Sequence, residues 1–254
     1  MEKEGNMKRL LWLLLVGIVG VAVLLTGCTG GGGPDKIRVA TDATWAPFEY
    51  VDTETEEIVG FDIDLFDAIA ERAGLDVEYV NVEWDALLAG MAQGTYDAAI
   101  SSITIKPDRL EKMNFSHPYF TAGQIIVILK STTDITGPET LAGKAVGVQA
   151  GTTGDDLATS INGTDVKRYD DIPLAFAALM ADQIDAVICD TPVAYGYVDK
   201  YAVLLVLGEV LTTEEYGIAV PKGEEELLEK INTALDELLD EGIIEELTTK
   251  WLQP

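Results

Sequence analysis

The chain has 254 residues and an ordinary globular composition, but 17 Lys and Arg stand against 44 Asp and Glu, a formal net charge of −27. A negative field of that size excludes nucleic acid and anionic membrane surfaces as electrostatic partners and mildly favours a cationic ligand, although solubility or adaptation to salt or heat explains most of it. One histidine, His117, and two cysteines, Cys28 and Cys189, give no metal-ligand spacing, so neither a metal nor a cofactor is expected.

Lys8 and Arg9 precede an apolar run from Leu10 to Leu25, followed by Leu25-Thr26-Gly27-Cys28. A basic start, a short apolar stretch and small residues read as an export signal over residues 1–27, with an uncleaved signal anchor as the alternative. The run is short for a membrane span. Leu-Thr-Gly-Cys resembles a bacterial-type lipobox, which implies a lipid on Cys28 and attachment to the outer face of the cytoplasmic membrane. Residues 28–35, with TGGGGP inside them, read as a flexible tether. No later stretch suits a membrane span, so the body is expected to be soluble and extracytoplasmic. Cys189 lies in an apolar run and reads as a buried small hydrophobe.

From residue 36 the pattern alternates strand and helix. Lys36–Thr41 reads as a strand, and "ATDATWAPFEY" (residues 40–50) runs into a loop broken by Pro47. Residues 56–60 read as a turn and a short strand. Asp62 is expected to cap a helix carrying Ile63, Phe66, Ile69, Ala70 and Ala73 on one face. A strand at 77–82, a helix at 84–94, a short buried strand at 97–101, a brief helix at 107–113 and an apolar strand at 124–129 follow. The pattern restarts with strands at 145–149, 166–169 and 186–189 and helices at 153–161 and 173–182. A strand over Tyr216–Val220 precedes a helical tail from Glu224 with Leu227, Leu228, Ile231, Leu235, Leu238 and Leu239 at helical spacing. Repeated βαβ alternation predicts an α/β fold with a mostly parallel sheet.

Seven stretches, in order, carry a resemblance: ATDATWAPFEY, GFDIDLFDAIAERAG, DAAISSITIKPDR, FSHPYF, VGVQAGTTG, DAVICDTP and YGIAVPKG. Together they resemble the extracellular amino-acid-binding proteins of ABC importers (solute-binding protein family 3), those for basic amino acids and for glutamine. The resemblance covers essentially all of residues 36–253. It implies a two-lobe periplasmic-binding-protein fold of type II with two hinge crossings. By the motifs, one lobe comprises residues 36–119 and 217–254 and the other residues 124–212, with crossings near Tyr119–Gly123 and Thr212–Tyr216. It implies a monomeric, non-enzymatic receptor that passes a free amino acid to permease subunits. The energy would come from an ATPase on another chain, because this one has no GxxxxGK[ST] loop.

An amino-acid zwitterion needs a partner for each charge, because an unpaired buried charge is costly. The resemblance implies that Arg109 clamps the carboxylate, its guanidinium fork matching two oxygens. It implies further contacts from Ser102 and Thr104, and from Thr152 and Thr153 at a helix N-terminus, which suits an anion. Asp190, at the carboxyl end of a buried strand, is implied as the ammonium partner. Trp45 and Trp84 match two aromatic positions that sandwich the ligand side chain, and Asp42 matches the position at its far end. The plainer readings are a surface arginine, a helix-capping Asp190, two core tryptophans and a turn-forming Asp42. Gln149 stands where glutamine-binding members carry a lysine, which orders the expected ligands as arginine, then lysine or ornithine, then glutamine. Glu49 and His117 read as structural. An enzyme of the dehydratase type built on this fold is the distant alternative; it would need a general acid in the cleft.

Overall fold

The computed structural model describes residues 36–252. The expected export signal, tether and lipid-bearing Cys28 lie outside the described residues. In chain order the strands are β1 (Ile37–Thr41), β2 (Thr44–Trp45), β3 (Glu49–Val51), β4 (Ile58–Val59), β5 (Val77–Asn81), β6 (Ala98–Ala99), β7 (Met113–Phe115), β8 (Phe120–Ala122), β9 (Gln124–Leu129), β10 (Ala145–Gln149), β11 (Asp165–Tyr169), β12 (Ala186–Asp190), β13 (Leu204–Leu207), β14 (Glu214–Tyr216) and β15 (Ala219–Pro221). The helices are α1 (Phe61–Ala73), α2 (Trp84–Gln93), α3 (Pro107–Leu110), α4 (Thr153–Ser160), α5 (Ile172–Met180), α6 (Thr191–Lys200), α7 (Glu225–Asp240) and α8 (Ile243–Leu252).

Two five-stranded sheets organise the molecule. The first has the order β5-β1-β6-β15-β7, with β1 parallel to β5 and β6 and with β15 returning antiparallel from the end of the chain. The second has the order β11-β10-β12-β9-β13, a parallel trio followed by antiparallel β9, to which the edge strand β13 is antiparallel in turn. The chain leaves the first sheet through β8 and returns through β14. These two strands pair antiparallel, Phe120 opposite Tyr216 and Ala122 opposite Glu214.

Helix α1 buries Ile63, Leu65, Phe66, Ile69 and Ala70 and packs on α7 and α8. Helix α7 answers with Leu227, Ile231, Ala234, Leu235 and Leu238. Each buried Leu or Ile contributes about 2 kcal/mol, so this stripe fixes the C-terminal segment onto the first half of the molecule.

Some local expectations are corrected. Helix α1 begins at Phe61 after Gly60, whose φ of 139° favours glycine, and Asp62 makes no cap bond. Its carboxylate instead accepts Ser102 N–H and Tyr119 O–H. Helix α3 stops at Leu110, because Met113–Phe115 pairs with β15. The single strand expected over Tyr216–Val220 divides: Tyr216 pairs with β8, whereas Ala219 pairs with β6 and β7. The helical tail breaks at Gly242, where φ is 77°. The loop of residues 40–50 contains part of a small antiparallel sheet, β2-β3-β4.

Candidate ligand-binding cavity

The carboxyl ends of parallel strands from both sheets converge on one cavity, the place where open α/β sheets present ligands. The β1 end brings Asp42, with Trp45 following in β2. The segment after β6 brings Ser101, Ser102 and Thr104, while α2 and α3 add Trp84 and Arg109. From the second sheet come Gln149 at the end of β10, Thr152 and Thr153 at the start of α4, and Asp190 at the end of β12. All ten residues singled out from the sequence line this cavity. Glu49, read as structural, and Ser101 line it too.

Arg109 is 4% exposed, so it is not a surface arginine. Its Nη1 donates to Thr104 O at 2.9 Å, and its guanidinium carbon lies 5.0 Å from the centroid of the Trp84 ring. Its Nε has no hydrogen-bond partner, and no described carboxylate lies within ion-pair distance. Burial pushes its pKa down, against the attraction of Asp108, Asp190, Asp156 and Glu214. A guanidinium held on one edge and unsatisfied on another suits an incoming carboxylate.

Asp190 occupies the cap position of α6 but makes no cap bond. Its Oδ1 accepts Gln124 Nε2 at 2.6 Å, and its Oδ2 accepts the Tyr216 hydroxyl. Burial, followed by repulsion from Glu214, pushes its carboxyl up to about 7. Asp42 accepts Gln149 Nε2 at 2.7 Å and Thr44 Oγ1 at 3.0 Å, and burial raises its pKa. Gln149 therefore reaches from the second sheet to the first.

Both tryptophans are buried and line the cavity. Trp84 Nε1 donates to Gly151 O at 3.2 Å, whereas Trp45 Nε1 has no partner. The hydroxyls of all four expected Ser and Thr contacts are engaged within the protein. Thr152 caps α4 by accepting Asp155 N–H and donates to Gln149 O, while Thr153 Oγ1 donates to Glu214 at 2.7 Å. Thr104 Oγ1 donates to the same carboxylate at 2.8 Å, and Ser102 Oγ donates to Glu49 at 3.3 Å. Of the helix-start acids, Asp155 accepts from Gly151 N and Arg168 Nε, and Asp156 pairs with Lys106 at 2.7 Å.

Residues 37–254 match the bacterial extracellular solute-binding proteins, family 3. The chain belongs to that family. It is 32% identical over 252 residues to the arginine-binding extracellular protein of Bacillus subtilis (strain 168), covering 94% of this chain and 97% of the relative. It is 41% identical to an ancestral arginine-binding protein solved bound to arginine, with a TM-score of 0.82 and coverage of 85% and 97%. Against an ancestral arginine-binding protein solved bound to glutamine the identity is 39%, the TM-score 0.80 and the coverage 88% and 100%. The fold of this solute-binding protein is the two-lobe α/β fold of type II periplasmic binding proteins, with β8 and β14 forming the two crossings. No helix among the described residues is long and apolar enough to cross a membrane.

Sequence reasoning missed Glu214, Gln124 and Tyr216. Glu214 accepts hydroxyls from Thr104, Thr153 and Thr212, and so joins both halves of this solute-binding protein through the β14 crossing. No spacing marks it: a glutamate in a Thr-Thr-Glu-Glu run reads as surface. Glu49 carried a faint signal, an acidic residue beside Phe48 within an otherwise apolar stretch.

Proposed function

We propose that the protein is the amino-acid receptor of an ABC importer, with arginine its favoured ligand, followed by lysine or ornithine and then glutamine. The observation that carries this reading is the charge of the lining. Among the described residues that line the cavity, one base, Arg109, faces three acids, Asp42, Glu49 and Asp190. A cationic amino acid has two positive groups and one negative, which Asp42, Asp190 and Arg109 complement, with Glu49 as an additional acid. Arg109 takes the carboxylate and Asp190, from the other half, the ammonium. Asp42 takes the side-chain cation between Trp45 and Trp84, where cation–π attraction contributes about 1–2 kcal/mol per face. Ser102, Thr104, Thr152, Thr153 and Gln149 shape the remaining wall.

The lobes of this reading are residues 36–119 with 217–254, and residues 124–212. Ligand held from both lobes favours the closed arrangement, because only that arrangement makes both sets of contacts. Residues 1–27 act as the export signal, and Cys28 bears the lipid that anchors a monomer beside its permease. A Cys28→Ala chain should be released from the membrane fraction. The glutamine reading draws on the glutamine-bound ancestral neighbour; the acidic end of the cavity favours a cation over a neutral amide.

The test is a thermal-shift panel of all amino acids on refolded, ligand-stripped protein. A ligand far above its Kd stabilises by roughly 3–4 kcal/mol. Arginine should give the largest shift. A shift with glutamine alone would keep the receptor and replace the ligand, and no shift with any amino acid would overturn the reading.

A further inference from the structure

Glu49 and Asp62 form a carboxyl pair at the floor of the cavity. Glu49, on β3, lines it; Asp62, on α1, is fully buried behind it. Glu49 Oε1 accepts Ser101 Oγ at 2.9 Å, and Oε2 accepts Ser102 Oγ at 3.3 Å. Asp62 Oδ2 accepts Ser102 N at 2.8 Å and Tyr119 OH at 2.9 Å. Asp62 Oδ1 has no hydrogen-bond partner, and the two carboxyls meet at Ser102, whose N–H donates to Asp62 and whose hydroxyl donates to Glu49. Two buried carboxyls held by the same serine resist double ionisation, so the pair retains a proton.

The other ionisable groups acting on the pair are Asp42 after β1, Tyr119 before β8 and Tyr79 on β5. None of them is a base, and Arg109 is engaged at Thr104 and Trp84. Burial, then the charges of Asp62 and Asp42, push the Glu49 carboxyl well up, and burial pushes Asp62 up to about 7. The Ser101 hydroxyl links the pair to the end of the cavity assigned to the ligand side chain, because it donates to Glu49 and accepts Asp42 N–H at 3.0 Å.

We propose that the Glu49–Asp62 pair is a specificity-determining, proton-releasing element: a cationic side chain seated at Asp42 expels the shared proton to solvent, and a neutral side chain leaves it in place. The proposal rests on the amino-acid reading of the cavity. One O–H bond breaks, its electron pair stays on the carboxylate, and the proton passes to water or buffer. The charge of the ligand replaces that of the proton. Arginine then gains affinity over glutamine as pH rises, by up to about tenfold per unit for one proton released. Titration of Asp190 acts on both ligands alike, since both carry the ammonium, and cancels in the comparison.

Isothermal titration calorimetry at pH 7, in two buffers of different ionisation enthalpy, counts the protons released per arginine and per glutamine bound. The wild type should release about one proton more with arginine. In Glu49→Gln that excess should vanish, because the amide donates to Asp62 with no titrating proton. Equal counts for the two ligands in the wild type would overturn the proposal, whether or not the variant folds. An undiminished excess in Glu49→Gln would place the proton on Asp42 and overturn it as well. If arginine alone binds, its count is compared between wild type and variant, and no proton released in the wild type overturns the proposal. Binding of neither ligand nor of any other amino acid would remove the receptor reading, and the proposal with it.

Discussion

Gln149 Nε2 donates to Asp42 Oδ2 at 2.7 Å, joining the second sheet to the first across the cavity. The same nitrogen donates to Asp170 O at 3.2 Å, which holds the amide in place. A neutral amide satisfies Asp42 without cancelling its charge, so the acid remains available to a cation.

Gln149→Lys would put an ammonium against Asp42. Arginine affinity should fall at least about tenfold, roughly 1.4 kcal/mol, while glutamine affinity changes less. Asp42→Ala should show the same selectivity by deletion. Calorimetric titration of both ligands checks this, and equal losses for the two would contradict the role given to Asp42.

Arg109→Lys keeps the charge but loses the planar fork and the ring contact with Trp84. Binding of every amino acid should weaken by about tenfold or more, because a single hydrogen bond to a charged group contributes about 1.5–3 kcal/mol. An unchanged Kd for arginine would show that the carboxylate sits elsewhere.

The ligand-free protein should lose stability as pH rises from about 4 to about 7. Asp190 and Asp62 are both fully buried, and burial raises each carboxyl to about 7 in the fold. Their folded pKa values exceed the unfolded ones, so folding favours the protonated form. That contribution is complete below the unfolded value and is lost as pH rises through the folded one. Each is of the order of a few kcal/mol. The net charge of −27 acts in the same direction through self-repulsion. Melting temperatures across this range should fall with pH, less steeply in Asp190→Asn. A melting temperature that rises towards neutrality would contradict the raised carboxyls.

Gly123→Ala should destabilise the fold by about 1–3 kcal/mol. A Cβ on Gly123 would lie 2.1 Å from Thr212 O and 2.5 Å from Val210 Cγ1, where the chain turns from β8 into β9. A backbone carbonyl beside the second crossing cannot step aside without shifting that crossing. Urea unfolding measures the loss, and a variant as stable as wild type would show that the crossings tolerate separation.

The sequence by itself determined the α/β class, because periodicity is a local property. QIIVIL, short and rich in β-branched residues, reads as a buried strand, and the leucine and isoleucine spacing of residues 227–238 reads as one face of a helix. Through the motifs it also determined the ten residues that meet around one cavity. Only the tertiary structure decided which polar groups answer each other there. Asp62 looks like a helix cap in sequence, yet it meets Ser102 and Tyr119, 40 and 57 residues away. Residues 216–220 look like one strand, yet the β8–β14 ribbon claims one end of it and the first sheet the other. Glu214 looks like a surface acid and Glu49 reads only as structural, yet both are buried among hydroxyls. The physical reason is common to all four cases. Local pattern fixes which face of an element is apolar, but burial and hydrogen-bond partners arise from long-range pairing that no window of sequence contains.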